Sequence, residues 1–454
     1  MADEKAEKSK KCKKHKLEND ENPGLENVQK KQRKGISESG FSGKVSFFKE
    51  VNKREIGYRI CPISLSYRKK IESSFDWFLP IDSVKGTIST RKITGHGAVF
   101  NLEFSPDDKY LVAACEMHSA MLFDPHSQKK VGDIMHAHTD SVNCVTFLDI
   151  RTFATCSDDK TISLWDIRNT KKDLMTLKGH KNWVKSINFF PESKQLISSA
   201  FDDTVRVWDI NKFRKNKPVK GKKIMNIPYL TRTKISVDKF GKPKLIAATT
   251  TGVLFVVHNL CLKTLMLDTC LSMRDLHSAN FNENDFAELN QNNINMGEEN
   301  RIEFIPTFAP DTVPWCIASV QVHPKIDSIL SRYTTRGQDN DEWTTVHTLK
   351  EENSSKDDGF YELESYIEES NLNSDYIKEL CYNNDGRLVC SPFGNGVRIL
   401  SCYKDDFSNK QSLKEIKYIT GHRNTVLTTK FATHLNMFAS GCLDGQVSFY
   451  KPKF

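Results

Sequence analysis

Three histidines, His96, His138 and His180, recur at an interval of 42 residues, and each opens a stretch of similar text. The stretches are "GHGAVFNLEFSPDDKYLVAACEMHSAMLFDP" from Gly95, "AHTDSVNCVTFLDIRTFATCSDDKTISLWDI" from Ala137 and "GHKNWVKSINFFPESKQLISSAFDDTVRVWDI" from Gly179. A fourth copy, "GHRNTVLTTKFATHLNMFASGCLDGQVSFYKP", starts at Gly421. Within each, short alternating apolar runs are separated by turn signals such as "SPDD", "PESK" and "LDG", the pattern of successive β-strands. One such unit cannot bury its own apolar face, so the repeats must stack on one another.

A period of ~40 to 45 residues, with Gly-His near its start and Trp-Asp near its end, resembles the WD40 repeat, which folds as one four-stranded propeller blade. The resemblance implies a hydrogen-bonded chain within each blade, running from a loop histidine through a strand Ser or Thr and a tight-turn Asp to a Trp. At the matching positions the second repeat has His138, Ser157, Asp159 and Trp165. The third has His180, Asp202 and Trp208, with Ala200 at the serine position, so a shorter chain is expected there. The last has His422 and Asp444 with Tyr450 for Trp, and the first has Phe123 for Trp and no Asp.

Three weaker units fit between the clear ones, at 228–260, 314–349 and 375–403, with turns at "DKFGK", "HPK" and "NNDG". The expected fold class is therefore all-β, a single seven-bladed propeller spanning 81–454. Ring closure removes the unpaired strand edges that an open array would expose. "GTISTRKI" at 86–93 precedes the first Gly-His and the last unit stops after three strands, so these two segments are expected to share one blade. Residues 268–308 are rich in Asn and Glu without sustained periodicity and read as a disordered insertion, and "EENSSKDDG" at 351–359 reads as a second polar loop.

Residues 1–54 read as a disordered basic tail, because "KSKKCKKHK" at 8–16 and "KKQRK" at 30–34 lie among almost no large apolar residues. These clusters suit a nuclear import signal or a phosphate patch, although Glu18, Asp20, Glu21 and Glu26 largely offset them. No secretory signal is visible and no apolar run approaches the ~18 residues of a membrane span, so a nuclear or cytoplasmic location is expected. The twelve cysteines include no C-x-x-C pair, and reduced thiols packed as small hydrophobes are expected. No G-x-S-x-G, Walker or H-E-x-x-H pattern occurs. "HAH" at 136–138 has its second histidine committed to the blade chain, and the glycines of "FGNG" at 393–396 suit a tight turn. Neither catalysis, nor a cofactor, nor a metal is indicated.

Function is therefore sought on surfaces. Trp165 belongs to the blade's interior, whereas Asp166 and Arg168 emerge where the third strand ends. An arginine there offers a rigid five-donor fork to a partner protein. "FATCSDDKTISLWDIR" at 153–168 resembles the sixteen-residue box, ending in WD-x-R, of the WD40 substrate receptors of cullin-4 RING ubiquitin ligases. "TGHGAVFNLEFSPD", "YIKELC", "SPFGNGVRIL" and "ASGCLDGQVSFYKPKF" are similar, within that group, to the cullin-4-associated factor ten family. The resemblance implies a non-catalytic receptor that docks on the adaptor damaged-DNA-binding protein 1 through Asp166 and Arg168, with Trp165 holding their strand. It would act as a single copy and present an unidentified substrate protein to the ligase.

In "ISLSYRKKIESSFDWFLP" at 63–80, Tyr67, Ile71, Phe75 and Phe78 form one apolar stripe at helical spacing ahead of Pro80. Residues 55–80 are thus expected to hold a short helix, docked on the adaptor or packed on the propeller's own rim. The alternative function is a nuclear WD40 scaffold or nucleic-acid-associated protein resting on the basic tail, although the tail's near charge balance argues against strong nucleic-acid binding.

Overall fold

A computed structural model describes residues 78–84, 95–214, 219–237, 241–262, 301–306, 314–335, 341–349, 361–373, 375–404 and 411–452. All strands among them fall into seven four-stranded antiparallel sheets, and the single helix is the short Ile210–Arg214. Six blades are built in chain order, with inner strands starting at Val99, Val142, Val184, Leu230, Pro314 and Cys381. The inner strands contact one another in cyclic order, including that of blade seven, 426–431, against that of blade one. The ring is therefore closed, as expected.

Apolar residues pack in one layer per blade interface, seven in all. Leu102, Phe123 and Phe449 join blades seven and one, Phe153 and Trp165 lie in the layer between blades one and two, and Trp208 lies between blades two and three. In six blades the register slips by one residue near the start of the inner strand, as between Val142 and Cys144. Such a bulge turns the strand as it enters the centre.

Closure uses a different segment from the one expected. The outer strand of blade seven is Phe78–Val84, paired from Phe78↔Pro452 to Val84↔Val447; residues 86–93 lie outside the described residues. Phe78 and Pro80, expected at the end of a helix, are therefore in a strand, while Tyr67, Ile71 and Phe75 lie outside the described residues. Pro80 falls where a proline is tolerated in a sheet, on an edge strand with a single partner and beside a register shift. A second correction concerns the polar insertion: Arg301–Pro306 is the outer strand of blade four, paired along Val253–His258. The insertion expected at 268–308 thus ends before Arg301, and its remainder, like the 1–54 tail, lies outside the described residues.

Candidate protein-docking rim

The strand that carries the rim residues is anchored by a buried polar chain. Trp165 Nε1 donates to Thr155 Oγ1 (2.9 Å), Thr155 Oγ1 lies 2.8 Å from His138 Nε2, and His138 Nδ1 lies 2.9 Å from Asp159 Oδ2. Thr155, and not Ser157, is the hydroxyl of the chain. Trp165 lies opposite Phe153, which makes Thr155 its diagonal neighbour and leaves Ser157 four residues, ~13 Å, along the strand. Ser157 instead bonds the Asp140 carbonyl and the Asp159 amide. The same register corrects the third repeat: Trp208 lies opposite Leu196, so Ser198 takes the position assigned to Ala200. Its chain is complete, through Trp208 Nε1 to Ser198 (2.9 Å), His180 Nε2 (2.7 Å) and Asp202 (3.1 Å).

In the last blade His422 Nε2 reaches Ser440 (2.6 Å), which donates to Tyr450 (3.1 Å). Asp444 is bonded by Asn424 and not by His422, whose Nδ1 has no partner among the described residues; burial pushes that ring down to about 4, so it stays neutral. Burial alone would raise the Asp159 carboxyl, but the hydrogen bonds it accepts from His138, Thr161 and the Thr139 amide outweigh it and hold it far below the usual carboxylate range.

Beyond Trp165 the chain turns at the rim. In blades one, two and three the aspartate ending the third strand accepts the amide N–H two residues on: His126 to Asp124 (2.9 Å), Arg168 to Asp166 (2.9 Å) and Asn211 to Asp209 (3.0 Å). Only in blade two is that third residue an arginine. Its guanidinium folds back on the same carboxylate, Nε to Oδ1 at 2.9 Å and Nη2 to Oδ2 at 2.5 Å. The arginine read as an open fork is thus paired within its own turn. It remains 62% exposed above a carboxylate only 17% exposed, and its Nη1 edge has no partner among the described residues. The hydrogen-bonded Arg168 holds the Asp166 carboxyl at about 2. The pair fixes a side chain that would otherwise lose rotamer freedom on binding.

Sequence reasoning missed what surrounds this pair. The turn 148–151 joins the first two strands of blade two on the same face, and it carries the exposed Ile150 and Arg151. Beside it a groove of about 180 Å³ separates blades two and three, lined by Leu148, Asp149, Phe189, Pro191, Lys194 and Asn211. An apolar residue in a turn, as in "LDIR", was the available signal. Asp166 and Arg168 are together as expected; Phe78 lies in blade seven, away from them.

A ring of seven blades with a preorganised arginine on one rim defines a WD40 propeller with a candidate protein-docking face. The repeat family described as "WD domain, G-beta repeat" matches residues 88–124, 129–166, 171–209 and 413–451. Over 92% of its length the chain is 35% identical to the DDB1- and CUL4-associated factor 10 of Xenopus laevis, covering 98% of that protein. To the proteins of the same name from Homo sapiens and Danio rerio it is 36% identical, covering 72% and 75% of each and using 83% and 79% of this chain. The chain belongs to the DDB1- and CUL4-associated factor 10 family and is not an enzyme.

Proposed function

We propose that this protein is the substrate-recognition subunit of a CUL4–DDB1 ubiquitin ligase, joined to the adaptor through the face that carries Asp166 and Arg168. Family membership supports the assembly, because the relatives are named for association with DDB1 and CUL4. One structural observation supports the contact: among the three blades with the aspartate turn, only blade two places an arginine there and locks it against the carboxylate with a donor edge left open. A guanidinium so held binds an acceptor at small entropic cost, and the groove beside it accepts an apolar anchor.

The test is binding of the purified chain to DDB1, wild type against Arg168→Ala and Asp166→Ala, with thermal melting recorded alongside. Arg168→Ala is expected to weaken binding about tenfold or more, with an unchanged melt because the side chain is exposed. Asp166→Ala is expected to weaken it less, since the fork is freed but present. Full binding by Arg168→Ala would overturn the contact, and no binding by the wild type would overturn the assembly.

A further inference from the structure

The centre of the ring holds a cavity of about 470 Å³ bounded by the inner strands. Its lining comes from their later halves, including Thr146, Phe189, Val237 and Lys430, so it opens on the face of the first turns, the same face as Arg168. Its charges do not balance. Lys430 is bonded to Glu103 (2.7 Å). Glu379 is fully used, one oxygen by Arg232 and the other by Asn101 Nδ2 (3.0 Å). Lys234, two residues on from Arg232 and on the same face of the strand, is left with no carboxylate and no hydrogen-bond acceptor among the described residues. Burial first, and then the neighbouring Lys430 charge, press its pKa down by more than Cys144 and the Glu103 charge, already bonded to Lys430, lift it, the behaviour of an ammonium held in no ion pair. The Cys156 hydrogen bond first, and then the Lys234 charge, pull the Cys144 thiol down against burial, but its Sγ points at the carbonyl oxygens of Val145 (3.7 Å) and Ile187 (3.9 Å), which accept from a thiol and would repel a thiolate, so it stays protonated and supplies no counter-ion. His323, held at about 4 by burial, is neutral.

We propose that this cavity is a binding site for a single carboxylate carried on an apolar body, with Lys234 as its counter-charge. Three cations against two acids leave an excess of one, which a monoanion neutralises; a phosphate dianion would leave a surplus negative charge beside Glu103. Ile187, Phe189, Ile235 and Leu380 supply apolar wall for the body that bears the acid. The volume suits either a small organic acid or an acidic side chain of a polypeptide entering at the mouth.

The full chain is titrated calorimetrically with four probes: hexanoate, hexanol, the blocked tripeptide acetyl-Leu-Glu-Leu-amide and its Gln counterpart. The acids are expected to bind and the neutral partners to bind at least about tenfold more weakly. Lys234→Met, which keeps the stem and removes the charge, is expected to abolish that difference while leaving melting unchanged or raised, because an unpaired, partly buried ammonium is removed. Hexanoate binding would assign the site to a free acid, and binding of the peptide alone to a polypeptide side chain. Absence of binding by both acids, retention of the difference in Lys234→Met, or a lowered melt showing that Lys234 is already paired, would each overturn the site. Arg168→Ala is expected to leave this binding intact, so the channel and the rim fail or succeed separately.

Discussion

At the residue scale the decisive atom is Thr155 Oγ1. With His138 Nδ1–H donating to the Asp159 carboxylate, Nε2 is left as an acceptor, so the threonine takes the Trp165 N–H and gives its own proton to the ring. Trp165, Thr155 and His138 are buried, Asp159 is partly so, and each has a partner, the condition under which such a network stabilises. Thr155→Val keeps the shape and leaves the Trp165 N–H and His138 Nε2 unpaired. It should cost about 2 to 3 kcal/mol in chemical denaturation, whereas Thr155→Ser, which retains the hydroxyl, should cost about 1 kcal/mol or less. Equal costs for the two would mean that the hydroxyl is no node of the chain. Histidine, aspartate and tryptophan were legible from text alone, because the repeat's spacing selects one of each even where a second stands beside it, as in Asp158–Asp159. The hydroxyl was not, since Thr155 and Ser157 point to the same face and only the strand register decides between them. The same ambiguity hid Ser198 behind Ala200.

At the scale of elements, blades five and six replace the Trp-centred chain with buried ions. Glu369 accepts from Arg398 Nη2 (2.5 Å), Thr344 (2.7 Å) and Ser391 (2.8 Å), and Glu342 pairs with Arg332 (2.5 Å) and Lys378. All five charged side chains are nearly inaccessible. Such a network gives little net stability over an apolar core, yet breaking it strands charges away from water. Glu369→Gln should therefore destabilise by roughly 3 kcal/mol. Adding Arg398→Met should recover part of that loss, a coupling of at least about 1 kcal/mol in a double-mutant cycle; strict additivity would show that the two do not act as a pair. These blades were legible only as alternating strands, because their ionic partners come from different strands and different blades and leave no local motif. A local pattern also misled at Phe78–Pro80, the end of the stripe read over 63–80. The periodicity there matched a helix, but Phe78–Val84 gains a full ladder against Val447–Pro452, and tertiary pairing outweighs local propensity.

At the scale of the molecule, the repeat text and the blades are out of phase, and closure follows from that offset. The matched repeats run from an outer strand to the third strand of the next blade, as in 129–166, so the last, 413–451, ends one strand short. That strand must come from ahead of the first repeat, which was legible; which of two neighbouring segments supplies it was not, because the start of Phe78–Val84 also completes a stripe at helical spacing. The seam between blades seven and one has a second fastening, since the Asp108 carboxylate accepts the amides of Thr433 (2.9 Å), His434 and Leu435 (2.8 Å). A chain beginning after Val84 keeps that fastening and the apolar layer of Leu102, Phe123 and Phe449, yet loses the ladder on Val447–Pro452. Six paired positions are lost, so roughly 3 to 5 kcal/mol of stability should go with them at ~1 kcal/mol per hydrogen bond. The loss should be local at first: amide exchange should rise sharply across 447–452, where the newly bare edge frays, and stay slow in Leu196 to Ala200 on the far side of the ring. Uniformly faster exchange in all blades would mean instead that the strand holds the whole ring in tension, and unchanged exchange at 447–452 would mean that another segment closes blade seven.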